Sequence, residues 1–136
     1  MRIDGIVETA LHVEDLERSA EFYQRLFGIE RLSEDRRLCA LALPGNAVLL
    51  LFKRGETLEP VSIPGGTIPG HDGSGHLHVA FKIPADSLDS WRVELKEQGI
   101  AIESTVHWPA GGTSLFFRDP DGHLVELITP GCWKVY

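Results

Sequence analysis

The sequence predicts an α+β fold built from two similar β-α-β-β-β modules. Two observations support this prediction. A strand with one apolar face followed by an amphipathic helix occurs near the start of the chain and again near its middle. A turn followed by an apolar strand then closes each half, over residues 43–52 and 119–128. We therefore interpret the chain as an internal repeat, with module 1 over about residues 3–55, a connector over 56–75 and module 2 over about 76–130.

The first strand is predicted over residues 7–13, because apolar side chains alternate there with other residues. Glu8 and His12 belong to the face opposite the apolar one. A helix follows, with Asp15 as its N-cap and Gly28 as its C-terminal stop. A strand and a helix thus form the opening unit.

The second module repeats this unit. The strand that begins at His76 places His76 and His78 on the face opposite its apolar side chains. In the following helix, Ser87 is the candidate N-cap and Gly99 the C-terminal stop. Aligning Leu16 with Leu88 and Gly28 with Gly99 leaves only a few residues of length difference between the two opening units.

Other segments complete each module. Residues 36–42 and 113–117 are the remaining strand candidates. The segment from Thr57 to Gly75 is rich in proline and glycine and shows no period, which predicts a long connector. Such a loop is either a lid over a site or a plain linker, and its position between two repeats favours the linker.

Composition limits the classes of function. The chain has 136 residues, 43% apolar and 24% charged, which fits one compact domain with its own core. A formal charge of −7 makes nucleic acid an unexpected partner, and no apolar run is long enough to cross a bilayer. The start of the chain lacks a secretory signal pattern, so the cytoplasm is the expected compartment. Cys39 and Cys132 are predicted to be free thiols without a chemical role.

Because each strand packs its apolar face against its helix, the opposite faces of the two sheets are predicted to line a shared cleft, and four positions on it come from equivalent places in the two modules. Counting six residues on from the proline of each hairpin turn reaches Leu50 in module 1 and Glu126 in module 2. The opening strands match in the same way, which makes Glu8 the equivalent of His78. Three of these four side chains can bind a metal ion, and the leucine cannot.

Glu126 lies between two aliphatic residues of its own strand face, Leu124 and Ile128. A buried carboxylate needs a cation, a proton or a hydrogen-bond partner, because isolation in an apolar environment is costly. We predict one divalent cation, Zn²⁺, Ni²⁺, Co²⁺, Mn²⁺ or Fe²⁺, because one histidine and two carboxylates suit these ions and leave coordination positions open. The predicted ligands are Glu8, His78 and Glu126. The alternative for Glu126 is a strand carboxylate held by the backbone or by an arginine.

Further side chains are predicted to line a substrate pocket: His12, His76, Leu50 and Trp108. The two histidines could equally support the metal ligands from outside the coordination shell. Trp108 could equally pack on its own hairpin. The remaining histidines lie in loops or turns and are predicted to be solvated: His71, His107 and His123.

Three segments resemble the vicinal oxygen chelate superfamily, which includes glyoxalase I, bleomycin-resistance proteins and extradiol dioxygenases. They are residues 13–28, residues 75–81 and residues 117–127. The resemblance covers nearly the whole chain and implies paired modules that form a cupped mixed sheet. It also implies metal binding at the positions matching Glu8, Leu50, His78 and Glu126.

Several departures separate the chain from particular branches of that superfamily. Glyoxalase I enzymes usually bind the metal through four side chains, whereas Leu50 stands at the second position and Glu8 replaces a usual His or Gln. Extradiol dioxygenases favour His at the first position and are usually longer. Fosfomycin-modifying members carry a Thr where this chain has Ala10. The sequence therefore predicts the superfamily and leaves the branch open.

The resemblance implies a metal-dependent enzyme that acts on a small oxygen-chelating organic substrate, by lyase, isomerase or dioxygenase-like chemistry. Glu126 or Glu8 would then transfer protons. The alternative is a metal-free protein of the bleomycin-resistance type that sequesters a ligand. A homodimer is expected, because each module exposes a sheet edge and related small members pair. In some relatives the two modules of one cleft come from different chains.

Overall fold

The computed structural model describes residues 1–135 and divides the chain into two compact units. The first unit spans residues 1–75, and the second begins at His76. No helix within residues 1–135 is both long and apolar enough to span a lipid bilayer.

The first unit is a four-stranded sheet with one helix and a small hairpin. Its strands follow the order β1-β4-β3-β2, in which β1 and β4 are parallel and the other neighbours antiparallel. The elements are β1 (Glu8–Val13), α1 (Leu16–Phe27), β2 (Arg31–Glu34), β3 (Leu38–Leu43), β4 (Ala47–Lys53), β5 (Val61–Ile63) and β6 (Gly66–Ile68).

The second unit repeats this arrangement. Its strand order is β7-β10-β9-β8, again with the first pair parallel. The elements are β7 (His78–Lys82), a 3₁₀ turn (Ala85–Ser87), α2 (Leu88–Glu97), β8 (Ser104–His107), β9 (Thr113–Arg118) and β10 (Leu124–Ile128). The predicted α+β class with two β-α-β-β-β modules is confirmed.

The strand register shows which positions of the two sheets are equivalent. Glu8 of β1 lies opposite Val48 of β4, and Leu50 stands two residues further along β4. In the second sheet His78 of β7 lies opposite Leu124 of β10, and Glu126 stands two residues further along β10. Because side chains two apart in a strand share a face, each sheet presents an equivalent pair of positions. The pair is glutamate and leucine in one unit, and histidine and glutamate in the other.

Helix α1 begins and ends as its sequence predicts. The Asp15 carboxylate accepts a hydrogen bond from the backbone N–H of Arg18 at 3.0 Å, and Gly28 ends the helix in the left-handed conformation at φ 63°. The helix buries Ala20, Tyr23 and other side chains that form the core together with leucines of β1, β3 and β4. Burial of one leucine side chain contributes about 1.5–3 kcal/mol.

The start of α2 differs from the prediction. Ser87 makes no capping bond to the helix, and its hydroxyl instead donates to the carbonyl of Pro84 at 2.8 Å. A 3₁₀ turn continues into the helix at this point, so the chain has no extended residue from which a side chain could reach back. Gly99, with φ 71°, follows the helix as predicted.

Two strands and a hairpin were not individually located from the sequence. Strands β2 and β8 expose much of their length and so lack a strong apolar alternation. The connector contains the hairpin of β5 and β6, and its ends are tied together where Thr57 and His71 exchange hydrogen bonds of 2.8 Å. Buried Thr57 and the contact of Gly73 with His12 hold this segment against the first sheet. A Cβ on Gly73 would lie 2.3 Å from the His12 ring, so only glycine fits there.

The cysteines are free thiols, as predicted. Cys39 is buried in β3, and burial raises the pKa of its thiol. Cys132 is half-buried. A raised pKa keeps Cys39 in the unreactive thiol form at neutral pH, in agreement with the prediction that this cysteine has no chemical role.

Candidate functional site

His78 and Glu126 are in contact on the face of the second sheet opposite its core. His78 Nε2 lies 3.3 Å from Glu126 Oε2. The histidine side chain is half-exposed, whereas the glutamate side chain is 8% exposed. The structure therefore brings together two of the three predicted metal ligands, with the carboxylate as the buried member.

The other ring nitrogen fixes the state of His78. Nδ1 lies 3.0 Å from the backbone carbonyl of Leu124. Because a carbonyl can only accept a hydrogen bond, Nδ1 carries the proton. In the neutral ring, Nε2 then presents its lone pair to the carboxylate of Glu126. Two acceptors facing each other at this distance require a positive group between them, either a proton on Nε2 or a metal cation.

The spacing of the two donor atoms suits a shared metal ion. Ligand atoms about 2.1 Å from one ion, at tetrahedral or octahedral angles, are roughly 3.0–3.4 Å apart. The separation of 3.3 Å between Nε2 and Oε2 falls in this range. A hydrogen bond from Nδ1 to a backbone carbonyl is also the usual way in which a ligating histidine is oriented. The pair therefore fits the predicted divalent cation.

A hydrogen-bond chain supports Glu126 from the side away from His78. The Ser114 hydroxyl donates a short hydrogen bond to Glu126 Oε1. Trp108 Nε1 donates to Ser114 Oγ at 2.7 Å, which leaves the serine proton free for the glutamate. The chain holds one carboxylate oxygen and directs the other toward His78.

The first unit carries the other two predicted positions. Glu8 is exposed at the start of β1, and Leu50 is half-buried in β4 on the same face. Both line a cavity of about 660 Å³ on that face. Within residues 1–135, no three His, Cys, Asp or Glu side chains stand close enough together to form a complete metal site. The assembled part of the predicted ligand set is therefore the pair of His78 and Glu126.

The predicted pocket residues have different surroundings. His12 is buried under the connector, where its ring packs against Phe52 and His71. His76 is exposed and lies against Gly122, where a Cβ would come within 2.8 Å of its Nε2. Trp108 supports the Ser114–Glu126 chain from its own hairpin.

One of the loop histidines differs from the prediction that they are solvated. His123 is fully buried and its Nδ1 accepts a hydrogen bond from the backbone N–H of Leu77 at 2.9 Å. His71 is exposed, as predicted, and its ring packs edge-on against Phe52 with centroids 4.6 Å apart. His123 follows a turn, and the polar residues of that turn give no sign that it is buried. His107 is exposed, as predicted, and its Nδ1 lies 3.0 Å from Thr113 Oγ1.

Ser114 was not identified from the sequence. It stands on β9 on the same face as Phe116, which lies directly opposite Glu126. Its role depends on a hydrogen bond between neighbouring strands, so no local feature of β9 distinguishes it from the other polar residues of the chain.

A family described as the glyoxalase/bleomycin resistance protein/dioxygenase superfamily matches residues 5–127 of the chain. This match covers most of the sequence, and the chain therefore belongs to that superfamily. The resemblance predicted from the three motif segments is confirmed.

Individual relatives within the superfamily carry different activities. The chain is 28% identical over 129 residues to the metallothiol transferase FosB of Bacillus licheniformis, covering 94% of this chain and 77% of the relative. It is 30% identical over 118 residues to catechol-2,3-dioxygenase of Bacillus subtilis, covering 86% of this chain but only 38% of that enzyme. Among solved structures, lactoylglutathione lyase from Agrobacterium tumefaciens superposes with a TM-score of 0.89 at 29% identity, covering 98% of this chain and 99% of the other.

Proposed function

We propose that this chain is a divalent-metal-dependent enzyme acting on a small oxygen-chelating organic substrate. The proposed ligands are His78 and Glu126, with Glu8 as the third. The observation that carries the proposal is the approach of His78 Nε2 to Glu126 Oε2 at 3.3 Å, with Nδ1 engaged by a backbone carbonyl. Three protein ligands would leave positions open for substrate.

A bound cation of this type supplies Lewis acidity to substrate oxygens. The residues of the chain have separate tasks. His78 keeps its lone pair toward the metal position because Leu124 accepts its other proton. Ser114 holds one oxygen of Glu126 in place. The carboxylate of Glu126 would also be the proton-transfer group, and the carboxylate of Glu8 has the same capacity in the first unit.

The relatives support the proposal that the chain is an enzyme, and they do not point to one particular reaction. Their names describe a lyase, a thiol transferase and a dioxygenase. We propose lyase, isomerase or dioxygenase-like chemistry, for which a bound cation would supply Lewis acidity to the substrate oxygens. Zinc, nickel, cobalt, manganese or ferrous iron would suit one histidine and two carboxylates.

Metal content is the direct test of the proposed function. Protein purified without chelators is expected to contain about one equivalent of a divalent transition metal, or to bind one on titration. Less than about a tenth of an equivalent, with no binding on titration, would contradict the proposal.

Removal of the metal is expected to lower the melting temperature. At a free metal concentration of about 100 times Kd, binding stabilises the fold by about 2.7 kcal/mol, which corresponds to roughly 10 °C for a chain of this size. Metal affinity should fall as pH drops, because protons compete with the metal for His78 and for the glutamates. Calorimetric melting with and without chelator, at several pH values, measures both effects. An unchanged melting temperature after complete metal removal would contradict a ligand role for these residues.

A second candidate is a metal-free ligand-sequestering protein of the bleomycin-resistance type. The apolar cavity of the first unit favours it, because such a cavity binds ligands without any metal. Under this alternative a proton on His78 Nε2 satisfies Glu126, and Glu126→Gln leaves ligand affinity unchanged. Metal titration together with this variant distinguishes the two candidates.

We further propose a homodimer in which one cleft combines modules of two chains. Each proposed metal site would then take Glu8 from one protomer and the His78–Glu126 pair from the other. An equal mixture of Glu8→Gln and Glu126→Gln chains, unfolded and refolded together, would regain about one quarter of the sites, because half of the dimers are mixed and each holds one intact site. Recovery of metal binding in the mixture, absent from either variant alone, is the expected result. If the mixture sediments as a dimer and recovers no metal binding, all ligands of one site come from a single chain.

A further inference from the structure

The cavity of the first unit has the size and lining of a small-molecule site. Its volume of about 660 Å³ lies within the range of ligand pockets, and it opens on the sheet face that carries Glu8 and Leu50. Most of the wall is aliphatic or aromatic, including Ala10, Ala40, Val48, Leu50, Phe52 and Ile68. Such walls bind the carbon part of a ligand, and the few polar groups decide its orientation.

Arg37 is the cationic side chain of this wall. It is half-buried, and its Nε is shielded from solvent without a hydrogen-bond partner. Among residues 1–135 no carboxylate forms an ion pair with it, whereas Arg31 pairs with Glu17 at 2.8 Å and Arg54 pairs with Glu14 at 2.9 Å. A guanidinium without a carboxylate partner leaves its charge uncompensated, and an anionic ligand in the cavity would compensate it.

The backbone of Arg37 is held firmly just before β3. Its N–H donates to Asp35 Oδ1 at 2.7 Å, and its carbonyl accepts from the N–H of Lys53 at 2.8 Å. A fixed backbone reduces the entropy lost when the side chain binds a ligand. The neighbouring Arg36 is different, because its side chain is 83% exposed and lies 3.7 Å from Glu56.

We infer that the first-unit cavity binds a small organic oxyanion through the guanidinium of Arg37, with the carbon skeleton against Leu50 and Phe52. A planar guanidinium pairs with carboxylate and with phosphate-type groups through two parallel hydrogen bonds. The inference rests on the proposed function, since it assigns the substrate a negatively charged group in addition to the oxygens that chelate the metal. The overall charge of −7 repels anions, so a local cation is needed to select them.

Four aromatic probes of similar size test this inference: benzoate, phenylphosphonate, benzamide and benzylamine. Calorimetric titration is performed on the whole chain, once after metal removal by chelating resin and once after loading with zinc. Benzoate or phenylphosphonate should bind at least about ten times more tightly than benzamide or benzylamine, because only the anions can form a charge-assisted pair of hydrogen bonds with the guanidinium. The tighter of the two anions indicates whether the substrate is a carboxylate or a phosphonate-type compound.

Arg37→Gln should weaken binding of the preferred anion at least about tenfold, since a charged hydrogen-bond donor is lost. Its melting temperature should not fall, because the substitution also removes the unsatisfied Nε. Arg37→Lys keeps the charge without the paired geometry and should retain part of the affinity. Arg36→Gln is the matched control and should change affinity by less than about twofold, because exposed charges contribute little.

The outcomes separate this inference from the proposed function. Arg37-dependent anion binding by a protein that binds no metal would overturn the proposed function and support the inference. Metal binding with equal affinity for all four probes would overturn the inference and leave the proposed function standing. Equal losses in Arg36→Gln and Arg37→Gln would also overturn it, because a general charge effect would then explain the binding.

Discussion

Replacement of Glu126 by glutamine is expected to weaken metal binding by more than about 100-fold, which exceeds the effect of losing a residue outside the coordination shell. The amide has almost the same shape and can still accept the hydrogen bond from Ser114. It cannot supply the negative oxygen that faces His78 at 3.3 Å. Removal of a buried charge should leave the metal-free protein equally stable or more stable. Metal titration and melting curves with and without metal measure both parts.

Ser114→Ala is the matched control for this variant. It keeps all three proposed ligands and removes only the hydroxyl that holds Glu126 Oε1, so a loss of about 10–100-fold in metal affinity is expected. If Glu126→Gln binds metal as well as the unmodified chain does, the carboxylate is a structural acceptor and not a ligand. If both variants lose stability without metal, the hydrogen-bond chain through Trp108 serves the fold.

The fold was predictable from the sequence because both modules carry strong periodic signals. The apolar alternation of β1 and the capped amphipathic helix α1 depend on local chemistry, and the structure contains both with the expected boundaries at Asp15 and Gly28. Repetition made the second module predictable as well. Strands β2 and β8 were harder to locate, because they are short edge strands whose mostly exposed residues have no alternating pattern.

The candidate site was predictable only in part. The repeat assigns His78 and Glu126 to the same cleft face, and the register of β7 and β10 brings the two side chains into contact. The buried state of His123 and the role of Ser114 depend on tertiary packing that leaves no periodic trace in the sequence. Arg37 is similar, since a lone arginine before a strand has no local feature that distinguishes it from its exposed neighbour Arg36.

Leu50→Glu is expected to tighten metal binding at least about tenfold, by adding a fourth ligand of the kind that glyoxalase I enzymes resembling this chain possess. Leu50 lies between Ala10 and Ala40 on the neighbouring strands, so the longer side chain has room. It is the register equivalent of Glu126, and Glu8 is the register equivalent of His78. Because His78 and Glu126 are in contact, Glu8 and a glutamate at position 50 should approach each other in the same way.

The substitution should affect the two states of the protein in opposite directions. Without metal, the new carboxylate repels Glu8 and replaces a half-buried leucine, so the melting temperature should fall. With metal, the two carboxylates bind one cation. Addition of metal should therefore raise the melting temperature of the variant by more than it raises that of the unmodified chain. Leu50→Gln is the matched control, because it loses the same apolar contacts without adding charge. The gain should vanish when Glu8→Gln is added. If Leu50→Glu weakens metal binding while the fold is preserved, Leu50 does not face the metal, and the equivalence of the two strand pairs does not extend to the site.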